Sequence, residues 1–357
     1  MGRSARLPAP RRQPVVFRWD LDKTYLKSDF HTLRGLVTIP FEKPEEKVAV
    51  PGVVPLIRNL RRVAHEQRRQ VWIYFISASP PQIARAIKEK LALDGIEYDG
   101  ITFKNQLQNI MRGRFRNLRE QVGYKLTELL RQRGQCPVEA CEVLFGDDWE
   151  SDPIIYSLYA DLLAGRVKSE ELPHILAPIG VDPELIQEAT QLARELPKAD
   201  AVERIYINLE RRTPPASFLP FGARLIPTFN YFQTACCLYQ DGYLDAPAVI
   251  DVARGLVEEA AYTPRQLFNS LADIERRGHL HTAIRAEIER ELVLAKIFAP
   301  RRRSALERLR DWMRWHTRRA EPRLMTRLPK APQSPAIDYR ELVVAWSRRH
   351  EQAEEPV

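Results

Sequence analysis

The chain has 357 residues, 44% of them hydrophobic and 29% charged, and carries a net charge of +8, a composition that fills at least one sizeable core and excludes global disorder. No window approaches the roughly 18 apolar residues that a bilayer span needs, and the leading arginines have no apolar run after them, so neither a transmembrane nor a secreted protein is expected. Four cysteines are too few for a disulfide framework, and the pairs Cys136/Cys141 and Cys236/Cys237 lack zinc-ligand spacing, which points to a reducing cytoplasm.

The charge is uneven. Residues 1–19 hold five arginines and no acid, and residues 301–330 hold ten arginines and Lys330 against Glu307, Asp311 and Glu321. The body between these ends is slightly acidic, so the positive charge describes the ends and not the middle.

After a basic leader (1–14), Val15-Val16-Phe17-Arg18-Trp19 is a short run of strand formers that ends on Asp20. Pro51-Gly52 opens a helical pattern with Val53, Leu56, Ile57, Leu60 and Val63 on one face. Val71 to Ile76 is a near-continuous apolar run, the mark of a strand buried on both faces. A helix over 81–93, a strand over 100–103, a helix over 118–133 and a strand over 142–145 continue the alternation, which predicts right-handed βαβ crossovers. Helices over about 153–200, with Asp182-Pro183-Glu184 as a helix start, precede a fifth strand at Arg204 to Leu209. The expected fold is α/β, a doubly wound, mainly parallel sheet over 15–212 with a helical insertion.

Residues 213–227 read as a Pro-rich connection to an all-α unit over 213–300, with helices near 228–240, 246–260, 264–276 and 280–297. In the last part, 301–357, Leu306, Leu309, Trp312, Met313 and His316 fall at helical spacing in an arginine-rich stretch, and 341–348 read as a short helix in a Pro-rich tail. Three readings of 301–330 stand side by side: packing onto the protein's own body, an anionic membrane surface for which Trp312 and Trp315 suit the interface, and nucleic acid. His279 and His281 have no companion ligands and read as a helix N-terminal segment, and Cys236-Cys237 read as core.

The chemistry lies at the carboxyl ends of strands, where a doubly wound sheet keeps its ligand site. Asp20-Leu21-Asp22-Lys23-Thr24 brings two carboxylates to a site if the chain turns just after the strand, one as nucleophile and one for proton exchange. Ser77 offers a hydroxyl after the second strand. Gly146-Asp147-Asp148-Trp149-Glu150-Ser151-Asp152 is an acidic turn suited to an oxygen-loving cation, and Lys104 and Lys125 are the candidate cations between. Each piece alone has a plain structural reading, as a cap, a strand-end hydroxyl or a solvated lysine; their order is the signal.

That order resembles the haloacid dehalogenase-like phosphotransferases across about 15–212. Pro51-Gly52-Val53-Val54-Pro55-Leu56, Tyr74-Phe75-Ile76-Ser77-Ala78-Ser79-Pro80, Lys125-Leu126, Gly146-Asp147 with Asp152-Pro153, and Arg204-Ile205-Tyr206-Ile207 narrow the resemblance to the catalytic domain of the actin-patch-type phosphatidate phosphatases. The usual Asp-Ile-Asp-Asp-Thr and Gly-Asp-Ser-Gly-Gln strings are altered here at Lys23 and at Asp148-Trp149-Glu150, departures that bear on the substrate. The resemblance implies a Mg²⁺-dependent phosphomonoesterase in which Asp20 is the nucleophile, Asp22 the acid and base, and Ser77 and Lys125 the phosphoryl binders. It further implies that Asp20, Asp22 through its carbonyl, and Asp147 hold the metal, with Asp152 as a ligand or a support. Lys125 is preferred to Lys104 on the same ground, and Thr24 is taken to order the turn.

The short segments between elements leave no room for a full cap, and an open mouth suits a large or membrane-embedded ester. The favoured substrate is a phosphatidate-type lipid, with a phosphatase of nucleic-acid ends or phosphoproteins, and a non-catalytic phosphate-ester binder, as alternatives. The expected location is cytoplasmic, peripheral at a membrane if the basic ends bind lipid.

Overall fold

The structure, a computed structural model, describes residues 13–27, 47–77, 83–103, 115–149, 151–298 and 337–345. Lys104, Glu150, the leader up to residue 12 and the arginine-rich 301–330 lie outside the described residues.

Strands β1 (Val15–Asp20), β2 (Val71–Ser77), β3 (Gly100–Phe103), β4 (Cys141–Asp147), β5 (Val202–Asn208) and β6 (Leu225–Thr228) form one sheet in the order β3-β2-β1-β4-β5-β6. Every neighbouring pair is parallel. The strand order reverses between β1 and β4, so their carboxyl ends open the crevice in which this architecture holds ligands. Both strands are buried along their whole length, as their apolar runs require.

Helices cover both faces. Side chains alternate along each strand, so Val143 and Phe145 enter one apolar cluster while Leu144 enters the other. On the first face lie α1 (Val53–Glu66) and α2 (Ala84–Leu93); on the second lie α3 (Phe115–Arg133), α4 (Asp152–Leu163), the short α5 (Leu172–Leu176) and α6 (Pro183–Glu195). Helix α1 buries Val53, Leu56, Ile57, Leu60 and Val63, the face read from sequence, and each such side chain contributes about 1.5–3 kcal/mol of transfer free energy. Asp182 caps α6 by accepting from the Glu184 N–H at 2.8 Å, with Pro183 in the first turn.

The sheet runs on past residue 212. The segment read as a connection contains β6, paired in parallel with β5 from Ile205↔Leu225 to Asn208↔Thr228. Pro227 hid this strand from a reading that treats proline as a breaker, yet a sheet edge tolerates proline because no further strand needs its N–H. Beyond β6, α7 (Tyr231–Gln240), α8 (Ala246–Ala260), α9 (Pro264–Arg276) and α10 (Thr282–Leu294) pack on the first face, where Tyr231, Phe232 and Val252 share a cluster with Trp19, Phe145 and Tyr206. Arg62 of α1 pairs with Asp245 at 2.7 Å and Asn59 donates to Asp251 at 3.3 Å, so these helices are joined to the sheet layers by polar contacts as well. A last helix over 339–345 docks on the second face through Tyr339, which donates to Asp161 at 2.6 Å, and Val343.

Candidate active site

Strand β1 ends on Asp20, and the chain leaves the extended form at once. Lys23 adopts a left-handed backbone (φ 58), its N–H bonds the Leu26 carbonyl at 2.8 Å, and Leu26 N–H returns to the Leu21 carbonyl at 2.9 Å. This tight turn puts both Asp20 and Asp22 at the rim, the first fully buried and the second 5% exposed. Thr24 reaches back to Asp20 at 3.5 Å, a long contact, and its carbonyl accepts from Tyr231 Oη of α7 at 2.5 Å. Ser77, at the end of β2, donates to Asp22 Oδ2 at 3.1 Å.

Lys125 projects from the middle of α3 and sits between two carboxylates, 2.8 Å from Asp20 Oδ1 and 2.7 Å from Asp152 Oδ1. Asp152 stands at the start of α4, and its other oxygen accepts the Asp147 N–H at 3.3 Å. Gly146 makes this approach feasible, because a Cβ there would overlap the Asp152 carboxylate. Beneath the rim, Trp19 stacks on Phe145 with centroids 3.7 Å apart and Phe145 stacks on Tyr206 at 5.4 Å, an aromatic row that fixes the ends of β1, β4 and β5.

Asp20, Asp147 and Asp152 each bring a carboxylate oxygen within 4.8 Å of the others, all three buried. With Asp22, four buried carboxylates lie at this rim, and among the described residues Lys125 pairs with Asp20 and Asp152; so many acids away from water suit a bound cation. The donors are all oxygens, the set that hard divalent ions such as Mg²⁺ take. The residues present therefore fit a divalent metal.

All six residues singled out from sequence, Asp20, Asp22, Ser77, Lys125, Asp147 and Asp152, meet at this one place. Asp148 has a different task from its neighbours in the acidic turn. Its carboxylate accepts the N–H groups of Arg211 at 2.8 Å and Thr213 at 3.0 Å, clamping the turn after β5 to the turn after β4. Sequence reasoning also passed over Tyr231, whose neutral phenol is kept so by burial and then by Glu210, Asp147 and Asp20. No local signal marks it, since its partner Thr24 lies more than 200 positions away.

No curated protein matches the chain. A family model does, the one described as phosphatidate phosphatase APP1, catalytic domain, over residues 19–169, a stretch that contains all six residues above and ends before β5. Over those residues the chain is similar to the catalytic domain of the phosphatidate phosphatase APP1 type, a phosphatase domain whose chemistry is that of a hydrolase.

Proposed function

We propose that the chain is a Mg²⁺-dependent phosphomonoesterase that works through an aspartyl-phosphate on Asp20 and acts on a phosphatidate-type lipid. One observation carries the reading: Asp20, Asp147 and Asp152 bring carboxylate oxygens within 4.8 Å of one another, with Lys125 between Asp20 and Asp152, at the reversal point of the sheet. An Asp20 oxygen attacks phosphorus, and Asp22, protonated at that stage, gives its proton to the departing alcohol oxygen. Asp22 then takes a proton from water as the water attacks the acyl phosphate, releasing phosphate and restoring the Asp20 carboxylate.

Lys125 puts positive charge beside the nucleophile, which lowers the repulsion between a carboxylate and an incoming phosphate. Ser77 orients Asp22 through its hydroxyl and borders the phosphoryl oxygens. Asp20, Asp147, Asp152 and the Asp22 carbonyl would hold Mg²⁺, which when bound neutralises charge on the transferring group. Among the described residues no helix is long and apolar enough to cross a membrane, so a lipid substrate would be met at a surface. No disulfide joins the four cysteines, which suits a reducing cytoplasm.

Phosphate release from dioctanoyl phosphatidate, a 5′-phosphorylated oligonucleotide and a phosphopeptide, with Mg²⁺ or with EDTA, tests this. Lipid turnover that needs Mg²⁺ and vanishes in Asp20→Asn is expected; turnover confined to the oligonucleotide or peptide would replace the substrate, and full activity in Asp20→Asn would remove the mechanism.

A further inference from the structure

Next to the carboxylates stands a second group of residues that the proposed chemistry leaves unused. Trp149 follows Asp147 closely, and its backbone N–H donates to Asp147 Oδ1 at 2.6 Å, which ties this stretch of chain to the candidate metal site. Two cations rest against that ring: Lys23 Nζ at 3.5 Å from its centroid and Arg211 Cζ at 4.7 Å. Cations settle on an indole because its face is electron-rich, and the contact fixes otherwise mobile side chains.

The three residues follow β1, β4 and β5, consecutive in the sheet, so they form a row across the carboxyl edge. The row is built deliberately. Lys23 is 8% exposed and holds a left-handed backbone that a lysine adopts at a cost, a kind of strain that concentrates at functional sites. Asp148, 2% exposed, pins the backbone of Arg211 by accepting its N–H. Arg211 itself is exposed, as is Lys27 beyond Lys23. The neighbouring acid, Glu210, is exposed and interacts with both Lys27 and Lys23.

Lys23 directly follows Asp22, the group that serves the leaving oxygen. The geometry points to a second anion subsite on the leaving-group side, formed by Lys23 and Arg211 against Trp149, that makes the chain prefer phosphate monoesters whose leaving group carries a further negative charge. The preference rests on the phosphomonoesterase reading and narrows it. Fixed guanidinium and ammonium groups reward an anion that reaches them and give nothing to a neutral alcohol, so the effect falls on kcat/KM ratios between matched substrates.

The test uses the full chain with Mg²⁺ and two pairs of soluble substrates: dioctanoyl phosphatidate against dioctanoyl phosphatidylinositol 4-phosphate, and fructose 6-phosphate against fructose 1,6-bisphosphate. At least one pair should favour its doubly anionic member by about tenfold in kcat/KM. Preference in the lipid pair alone assigns the subsite to a lipid headgroup, and preference in both assigns it to any second anion. Arg211→Gln, at an exposed position, should shrink the ratio severalfold, and Trp149→Leu should shrink it by removing the ring that both cations use. Equal rates within both pairs, or a ratio unmoved by Arg211→Gln, would overturn the subsite while leaving the phosphatase standing. No phosphate from any of the four would overturn the subsite, and the phosphomonoesterase reading with it if the 5′-phosphorylated oligonucleotide and the phosphopeptide also stay intact.

Discussion

Two buried ionic networks stand on the same strands and the same helices of this protein, and they differ in balance. Arg18 and Asp20 lie two positions apart on β1 and so share a face. Arg18 pairs with Glu142 of β4 at 2.6 Å, Arg133 of α3 reaches the same carboxylate at 3.1 Å, and Tyr159 of α4 donates to it at about 3 Å. Gln132 accepts from Arg18 at 2.5 Å. One turn of strand higher, β1 supplies Asp20, α3 supplies Lys125 and α4 supplies Asp152. The lower network sets two guanidinium groups and a cluster of hydrogen-bonding dipoles around one acid; the upper sets one ammonium among four. Burial tolerates the first as structure, while the second, richer in acids than in bases among the described contacts, fits a bound cation.

The largest test of that contrast is Asp20→Asn. It should cut phosphate release by at least about a thousandfold without lowering the Tm measured in EDTA, since it removes charge from the overloaded group. A fall in stability with activity retained would reverse the assignment of the two networks.

Glu142→Gln attacks the balanced side. Leaving Arg18 and Arg133 buried without their carboxylate should cost about 3–5 kcal/mol in urea unfolding, with kcat at low temperature preserved. An unchanged unfolding free energy would mean that the lower network is no keystone.

Asp147→Asn is expected to raise Tm in EDTA by an amount equivalent to about 1 kcal/mol and to abolish the further rise that Mg²⁺ produces in the parent chain. Calorimetry with and without Mg²⁺ decides it, and an undiminished Mg²⁺ shift would place the ion elsewhere.

The smallest effect concerns His279, where a crowd of like charges is structural. Burial and the nearby Arg277 and Arg204 push its imidazole down to about 4. The folded chain keeps it neutral where the unfolded chain would charge it, so its contribution is full above the ordinary histidine pKa and declines as pH falls from there to about 4. His279→Gln should flatten the stability profile between pH 6.5 and 4, measured by urea midpoints; an unchanged profile would dismiss the site.

Much of the sheet is legible because its strands are apolar runs of β-formers set between helices of clear period. Gly100–Phe103 is found to the residue, and α8 and α9 fall where their spacing puts them. Leu225–Thr228 is not, because four residues with a proline carry no period and take strand form from pairing with β5. Asp148 illustrates the other limit. In the string it is one more acid in an acidic turn, and only the arrival of Arg211 and Thr213 makes it a clamp.

An alternating sheet with acids and a hydroxyl at its strand ends, and a lysine on a helix between them, is written in the order of residues, since local propensity and the rule that ligands gather at carboxyl ends require nothing beyond neighbours in the chain. Tertiary structure alone decided that Lys125 lies between Asp20 and Asp152, that Tyr231 of a distant helix holds the Thr24 carbonyl, and that Lys23 and Arg211 meet on Trp149. These are contacts between side chains far apart in sequence, and their distances are set by how strands register and helices dock, which no periodicity encodes.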